Sequence, residues 1–374
     1  MPSARISRLC NSGEKTTPVT RRAFCTALAT LATWQESPLH ASRISASVNP
    51  QIEEFDFSTL NGLVTPSGEF FVRNHFVAPN LKLRSWRLRI TGSVKTPLDM
   101  TFSDLLREST RTLSVTLECA GNRVGGGAVG TARWTGVPLE RLLRLAGLGS
   151  AVKNVRLVGA DRGIEDPSRP PTLYMRSLPL EKALHPDTLL VYQMNGGHLP
   201  VEHGFPLRAL VPGWYAMDSV KWLDHIEVLE HEDRSLFMTE RYLSNQWRGL
   251  DSEKHRISRV QVKSQIARPR EGELIGESPY VVRGAAWAGE NRVTKVQVSV
   301  DEGKEWHLAE IDKEQQPYTW VLWKFYWSFQ RPGSHVVSVR AFDHKGNEQP
   351  LSRDLHRLDG YELNWVHSVR CIVK

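Results

Sequence analysis

The chain has 374 residues, enough for two or three domains and far beyond the size of a disulfide-stapled module. Hydrophobic residues make up 40% and charged residues 24%, the balance of a folded globular protein rather than a disordered one. Its 48 basic residues against 41 acidic ones leave a net charge of +7. Spread along the chain, that charge favours anionic small molecules or an acidic partner. Nucleic acid is not expected, since no basic run with interleaved aromatics and no zinc-finger spacing is present.

Residues 1–24 carry Arg5, Arg8, Lys15, Arg21 and Arg22 against one acid, Glu14, and Ala23 to Trp34 follow as a short, weakly apolar stretch. The run Thr20-Arg21-Arg22-Ala23-Phe24 resembles a bacterial twin-arginine export signal, with small-residue cleavage positions near Ala41 or Ala46. A chance arginine pair or a basic transit peptide is the competing reading. Residues 1–46 are thus expected to be a leader and the mature protein periplasmic. This export route carries folded proteins, which suits one that takes up a bulky cofactor in the cytoplasm. No run reaches eighteen apolar residues, so no permanent membrane-spanning helix is expected. The cysteines are Cys10, Cys25, Cys119 and Cys371, and none has the close spacing of a zinc, iron–sulfur or c-type haem site. With two of them in the leader, any disulfide of the mature chain could only join Cys119 to Cys371.

Beyond a mixed segment, Leu81, Leu83, Trp86, Leu88 and Ile90 approximate a two-residue alternation, which predicts an edge strand or a pair of short strands closed by Gly92. After Pro97 a short helix is expected, capped by Thr101 or Ser103 and burying Leu105 and Leu106. Leu113, Val115, Leu117 and Cys119 alternate as a strand that stops at the cysteine, and the glycine-rich loop 120–127 follows. Pro138 opens a helix carrying Leu139, Leu142, Leu143 and Leu145, and Gly147 ends it. Val155 to Val158, Leu189 to Gln193 and Leu207 to Val211 read as strands, Pro179 to Leu184 as a short helix, and Asn195-Gly196 as a turn. This pattern is mixed α+β, and it contains no dinucleotide or Walker fingerprint.

The charged stretch from His231 to Lys263 reads as the connection between domains. After it, Tyr280 to Val282, Val293 to Val300, Trp320 to Trp327 and Val336 to Phe342 are β-branched or aromatic runs separated by turns, the pattern of an immunoglobulin-like sandwich. The predicted organisation is a leader at 1–46, a catalytic domain at 51–250 and an all-β sandwich at 260–374.

Three clusters carry candidate chemistry. Cys119 ends a strand ahead of a glycine loop and Arg123, where a guanidinium and loop N–H groups favour the nucleophilic, metal-binding thiolate; a buried inert cysteine is the alternative. His203, Arg208 and Lys221 combine an imidazole, a bidentate guanidinium and an ammonium, suited to a phosphate-bearing ligand. Taken singly, each reads equally well as a solvated surface charge. Arg73-Asn74-His75 is the third, and alone it is a weak signal.

Taken in order, Phe71-Val72-Arg73-Asn74-His75, Leu117-Glu118-Cys119-Ala120-Gly121-Asn122-Arg123, Ala132-Arg133-Trp134-Thr135-Gly136-Val137, His203-Gly204-Phe205-Pro206-Leu207-Arg208 and Val220-Lys221-Trp222-Leu223 resemble the sulfite oxidase family of molybdenum enzymes. The resemblance covers residues 51 to 374. It implies a Mo-molybdopterin cofactor whose metal is ligated by Cys119, with Arg73 at the substrate pocket. The segment Phe71 to His75 would wrap the pterin, while His203, Arg208, Ser219, Val220 and Lys221 would contact pterin and phosphate; Asp161 matches a further pterin contact. It also implies sulfite as the substrate, an external electron acceptor such as a c-type cytochrome in place of a preceding haem domain, and a homodimer formed through the C-terminal sandwich. The aromatic run Trp320, Trp323, Phe325, Tyr326 and Trp327 could serve that dimer or fill the sandwich interior.

The chain departs from the family pattern at three places. A second arginine follows the Cys-Ala-Gly-Asn-Arg run in animal and plant members, where this chain has Val124. The family's active-site tyrosine aligns with Trp247, and Tyr242 lies five residues earlier. A C-terminal pocket arginine has no clear counterpart. A less cationic pocket leaves open reduction of an S-oxide, N-oxide or other oxyanion at the same metal; a further reading is a non-enzymatic two-domain binding protein whose sandwich is an adhesion or assembly module, with Cys119 merely core.

Overall fold

Residues 50–248 and 251–374 are described by the computed structural model of the chain. The expected leader, with its arginine pair, Cys10 and Cys25, lies outside the described residues, as do Gly249 and Leu250. Strands dominate: among the described residues the longest helix, Leu139–Ala146, has 8 residues and the other α-helices have 4 each. The expected α+β balance therefore shifts to a mostly β fold, because most apolar residues alternate with a period of two rather than forming helical stripes.

Two five-stranded sheets build the first part, beside a two-stranded pairing of Ile52–Glu53 with Val72–Arg73. In one, Gly197–His198, Leu189–Met194, Val129–Pro138 and Arg111–Glu118 lie side by side, with Arg208–Leu210 also paired to Leu189–Met194. The other runs Leu98–Thr101, Arg87–Gly92, Leu223–Leu229, Asn154–Gly163 and Thr172–Pro179. Arg87–Gly92 therefore has neighbours on both sides and is not an edge strand. Its apparent N-terminal extension is a turn in which the Ser85 and Trp86 amides bond back to Lys82 O.

The short helix after Pro97 has Thr101 as its cap, in a reciprocal capping box with Asp104, and buries Phe102 and Leu105, while Leu106 is only half-buried. Leu139–Ala146 ends at Gly147, whose φ of 67° suits a residue without a Cβ; Leu145 faces solvent. Asn195 and Gly196 both have positive φ, the turn expected of that pair.

Arg111–Glu118 is buried on both faces from Val115 onward. Val115 and Leu117 point into a core with Trp134 and Phe70. The opposite parity meets the C-terminal part: Thr116 Oγ1 accepts from the Trp320 amide at 2.8 Å, and Glu118 meets Lys263 and Trp287.

The C-terminal part has two sheets, Lys263–Arg268, Tyr280–Trp287, Val321–Trp327 and Glu310–Ile311 in one and Leu274–Ile275, His367–Val373, Gly333–Asp343, Val293–Ser299 and His307–Leu308 in the other. They enclose one core containing Val282, Val298, Val337, Val339, Trp323 and Trp327. Trp320, Trp323 and Trp327 are buried and Tyr326 is exposed, so the tryptophans of the aromatic run belong to the interior. The expected connection is also more ordered than the sequence suggests, holding the helix Leu236–Thr239 and a hairpin of Leu243–Arg248 with Asp251–Arg256. Its polar composition offers no apolar alternation to read.

Cys119 and Cys371 are both free thiols, so the expected candidate disulfide between them is not formed. No helix of the described residues is long and apolar enough to cross a membrane.

Candidate active site

Cys119 follows the last residue of Arg111–Glu118 and turns the chain sharply. Its amide donates to Ala128 O at 2.9 Å and its carbonyl accepts from the Asn122 amide at 2.9 Å. The Asn122 side chain braces the loop, accepting from the Ala128 amide at 3.1 Å and donating to Glu118 at 3.0 Å. Behind it, Lys263 donates to Glu118 at 2.8 Å and to Asn122 O at 3.2 Å, and Trp287 Nε1 donates to the other Glu118 oxygen at 2.8 Å. Gly127 must lack a side chain, since a Cβ there would stand 2.0 Å from Phe55 O.

The thiol opens onto a cavity of about 330 Å³. Eleven residues anticipated for the site line it: Phe71, Arg73, Asn74, His75, Cys119, Asp161, His203, Arg208, Ser219, Lys221 and Tyr242. Val72 and Val220 do not; each is buried between two lining neighbours with its side chain on the opposite parity. Arg123 is exposed and off the cavity, carried outward by the turn at Asn122, so it is not the cation beside the thiol. That part falls to Arg73. Burial pushes the Cys119 thiol up, opposed by the Gly121 amide and the Arg73 charge. Of the two candidates for the active-site phenol position, Tyr242 lines the cavity; Trp247 pairs with Ser252 in the hairpin, and its side chain lies outside the described residues.

One wall is cationic. Arg208 is buried over the Trp134 ring at 5.0 Å and donates to His203 O at 3.0 Å and Ser219 O at 3.1 Å; burial brings it down to about 9. Lys221 donates to Asn74 Oδ1 and, at 2.9 Å, to Glu202 O. Burial, with Arg208 alongside, pushes it down to about 7, against the pull of Asp161. His203 is pushed down to about 3 by burial and Lys221, so the neutral ring donates Nε2–H to Ser67 O at 3.1 Å. Gly204 sits among these groups at φ +113°, and its missing Cβ would approach the Cβ atoms of Arg208 and Lys221 at 3.0 Å. Three basic groups compressed together, none paired with a carboxylate, form a receptor for an anion.

Two buried polar atoms beside this wall have no partner, Asp161 Oδ1 and Asn74 Nδ2. Burial lifts the Asp161 carboxyl to about 7. An acceptor and a donor left open in a cavity wall fit a ligand rich in N–H and C=O groups. The other end is aromatic, formed by His75, Tyr174, Tyr242 and Tyr361. The Tyr174 and Tyr361 positions carry no signal in the sequence. Tyr361 is the C-terminal residue of this lining, and Arg357, four residues before it, is bound to Asp359 at 2.9 Å and Glu362 at 3.2 Å.

Among the described residues no three His, Cys, Asp or Glu side chains could together hold a metal ion. A metal at Cys119 would therefore need ligands other than these side chains, such as those of an organic cofactor. Thiol, anion receptor and open polar pair together fit a metal-bearing, phosphorylated pterin, and define the class as a molybdopterin-dependent oxidoreductase. Residues 75–237 match the oxidoreductase molybdopterin binding domain, and residues 254–374 the Mo-co oxidoreductase dimerisation domain.

The chain is 36% identical over 342 residues to the mitochondrial sulfite oxidase of Homo sapiens, covering 83% of this chain and 62% of that one. With the sulfite oxidase of Gallus gallus it shares 33% identity over 321 residues, covering 77% and 68%. A nitrate reductase [NADH] of Volvox carteri is 34% identical over 328 residues, covering 77% of this chain and 38% of that one. Among solved structures, the sulfane dehydrogenase SoxCD of Paracoccus pantotrophus superposes with a TM-score of 0.75 at 29% identity, over 87% of this chain and 85% of that one. The chain belongs to the sulfite oxidase family, whose cofactor is Mo-molybdopterin. It spans about three fifths of the length of the primate sulfite oxidases it matches, 62% in each case. Family membership removes the reading of a non-enzymatic binding protein.

Proposed function

We propose that the holoprotein oxidises sulfite: sulfite and water yield sulfate, two protons and two electrons, the electrons passing singly to an external acceptor such as a c-type cytochrome. When bound, the molybdenum cofactor supplies the oxygen-atom transfer and stores the electron pair. In this reading Cys119 holds the metal, Arg208, Lys221 and His203 hold the anionic tail, and Asp161 and Asn74 meet the pterin edge. Arg73 draws a small dianion to the thiol end. The observation that carries the proposal is that Cys119, Arg73 and the cationic wall open on one cavity. The test is a metal-loaded preparation assayed with sulfite against ferricyanide or cytochrome c. Stoichiometric molybdenum without sulfite-dependent reduction rejects the substrate and leaves the cofactor assignment standing.

A second reading, reduction of an S-oxide, N-oxide or other oxyanion, is favoured by the aromatic end of the cavity, formed by His75, Tyr174, Tyr242 and Tyr361. Reduced-viologen oxidation with a substrate panel separates the two.

We further propose that residues 1–46 direct twin-arginine export to the periplasm, that residues 51–250 form the catalytic domain, and that an immunoglobulin-like sandwich at 260–374 makes a homodimer. The match to a dimerisation domain supports the last point. With the tryptophans inside, the dimer surface must use other residues. Light scattering at micromolar concentration tests the dimer, and fractionation of cells expressing an Arg21→Lys, Arg22→Lys variant tests the export.

A further inference from the structure

At the aromatic end of the cavity three side chains form a connected line from the interior to the surface. The Tyr242 hydroxyl and His75 Nε2 share a hydrogen bond. On the far side of the ring, His75 Nδ1 stands 3.6 Å from Glu165 Oε2. The other Glu165 oxygen accepts from Arg241 Nε at 2.7 Å. Glu165 lies in the loop between Asn154–Gly163 and Thr172–Pro179, and its side chain is 18% exposed. The imidazole cannot easily turn away, being stacked on Tyr174 at 5.1 Å with 17° between the planes and met edge-on by Phe237 at 5.0 Å. Tyr242 and His75 line the cavity; Glu165 does not.

We propose that Glu165 is a positioning residue that, through His75, sets whether the Tyr242 hydroxyl proton is held inside the wall or offered to an oxyanion in the cavity. A neutral imidazole with its proton on Nδ1, facing the carboxylate, has a bare Nε2 that accepts from the phenol; the phenol proton is then held by His75. When the ring is protonated both nitrogens donate. Nε2–H now points at the phenol oxygen, and the phenol proton swings free to donate to a bound anion. No electron moves and no bond to carbon or sulfur changes; one proton enters the imidazole and one hydrogen bond reverses. The phenol keeps its own proton throughout, since burial holds Tyr242 well above its ordinary range.

The charged and titratable groups facing His75 are Glu165, Arg241, Arg73, Tyr174 and Tyr242. Burial holds the imidazole below its usual range; Glu165 pulls it back up, and Arg241 and Arg73 push it down. Removing the Glu165 charge therefore lowers the pH at which the hydrogen bond reverses.

This inference rests on the reading of the cavity as an oxyanion site, and its test does not require turnover. Sulfate, which stays a dianion across the range, is titrated into molybdenum-loaded protein by calorimetry between pH 4.5 and 8, and His75 is followed by NMR in protein carrying 15N-labelled histidine. Sulfate should bind several-fold more tightly once His75 is protonated, with a step at the His75 midpoint. Glu165→Gln should move both midpoints down by about one pH unit. Tyr242→Phe should leave His75 titrating but abolish the step, while retaining any slower pH dependence due to Lys221. Sulfate binding without a step, or a step that stays in place in Glu165→Gln, overturns the proposal and leaves the oxyanion reading intact. Wild-type protein that binds no sulfate at any pH overturns both.

Discussion

Lys263 places its ammonium 2.8 Å from the Glu118 carboxylate, with neither side chain more than 3% exposed. Glu118 is the residue before Cys119, and Lys263 belongs to the C-terminal sheets, so one buried ion pair ties the second part of the chain to the backbone that presents the thiol. Asn122 O and Trp287 Nε1 complete the network, leaving each charge well solvated by protein. Lys263→Met strands a buried carboxylate and should destabilise the protein by about 3 to 5 kcal/mol, with a matching fall in molybdenum content. Adding Glu118→Leu should recover part of the stability but not the metal, because the loop loses its brace. Urea unfolding and elemental analysis on the two variants check this.

Cys119→Ser tests the thiol itself. Serine is nearly isosteric, and the half-buried position loses no packing partner, so circular dichroism and unfolding should match the parent. Its hydroxyl stays protonated at neutral pH and is a poor ligand for a metal that prefers thiolate. Substituting residues that merely orient a metal ligand costs 10- to 100-fold, so loss of the ligand should lower turnover by on the order of 100-fold or more. The visible absorption of the metal–thiolate bond should vanish with it. A serine variant as active as the parent would remove Cys119 from the metal's coordination.

How legible the site was depended on whether its residues sit on regular elements. Cys119 shows as the last member of an alternating strand before a glycine run, and the His203–Arg208–Lys221 set shows as three basic residues within a short stretch, of which Arg208 lies on a strand, His203 closes a 3-10 turn and Lys221 precedes Leu223–Leu229. Alternation also separates lining from buried residues: Phe71 and Arg73 face the cavity and Val72 does not, and likewise Ser219 and Lys221 against Val220. Arg123 is exposed and off the cavity lining, because adjacency in sequence to a thiol need not be adjacency in space once a turn intervenes. Tyr174, Glu165 and Tyr361 come from positions whose only link to the cavity is tertiary, and no local pattern marks them. The hairpin Leu243–Arg248 with Asp251–Arg256 escaped for the same reason, being too polar to show a period.

Lys221 makes the cofactor-free protein's stability depend on pH in a definite direction. Its folded value is pushed down to about 7, below the ordinary lysine value, so the unfolded chain binds a proton that the folded one does not. Stability from this group is present at high pH and is lost as pH falls from the lysine range towards 7, with a slope of up to about 1.4 kcal/mol per pH unit. Asp161 has the opposite sense: its carboxyl is raised to about 7, so its contribution is lost as pH rises from the carboxylate range towards 7. Together they give a local minimum near neutrality. Protein made in a host lacking the cofactor should therefore be more stable at pH 9 than at pH 7. Lys221→Met should flatten that rise, and so should loading the cofactor, whose phosphate restores the ammonium. Denaturant midpoints across pH 7 to 10 give the answer.

Tyr361 decides how cationic the reacting end of the cavity can be. It packs against Tyr242 at 5.4 Å between ring centroids, and Arg357, four residues earlier in the chain, is neutralised by two carboxylates. Tyr361→Arg would bring a guanidinium into the cavity that Arg73 also lines. A hydrogen bond to a charged partner contributes about 1.5 to 3 kcal/mol, so the KM for sulfite should fall by about 10-fold or more with kcat little changed. The gain should shrink at high ionic strength, since the cavity mouth is open to solvent. If the natural reactant is instead a neutral S-oxide or N-oxide, the same substitution should raise its KM by removing an aromatic wall. Steady-state kinetics of parent and variant on sulfite and on a neutral S-oxide, at two salt concentrations, separate the outcomes, and an unchanged KM for both would exclude Tyr361 from the substrate surface.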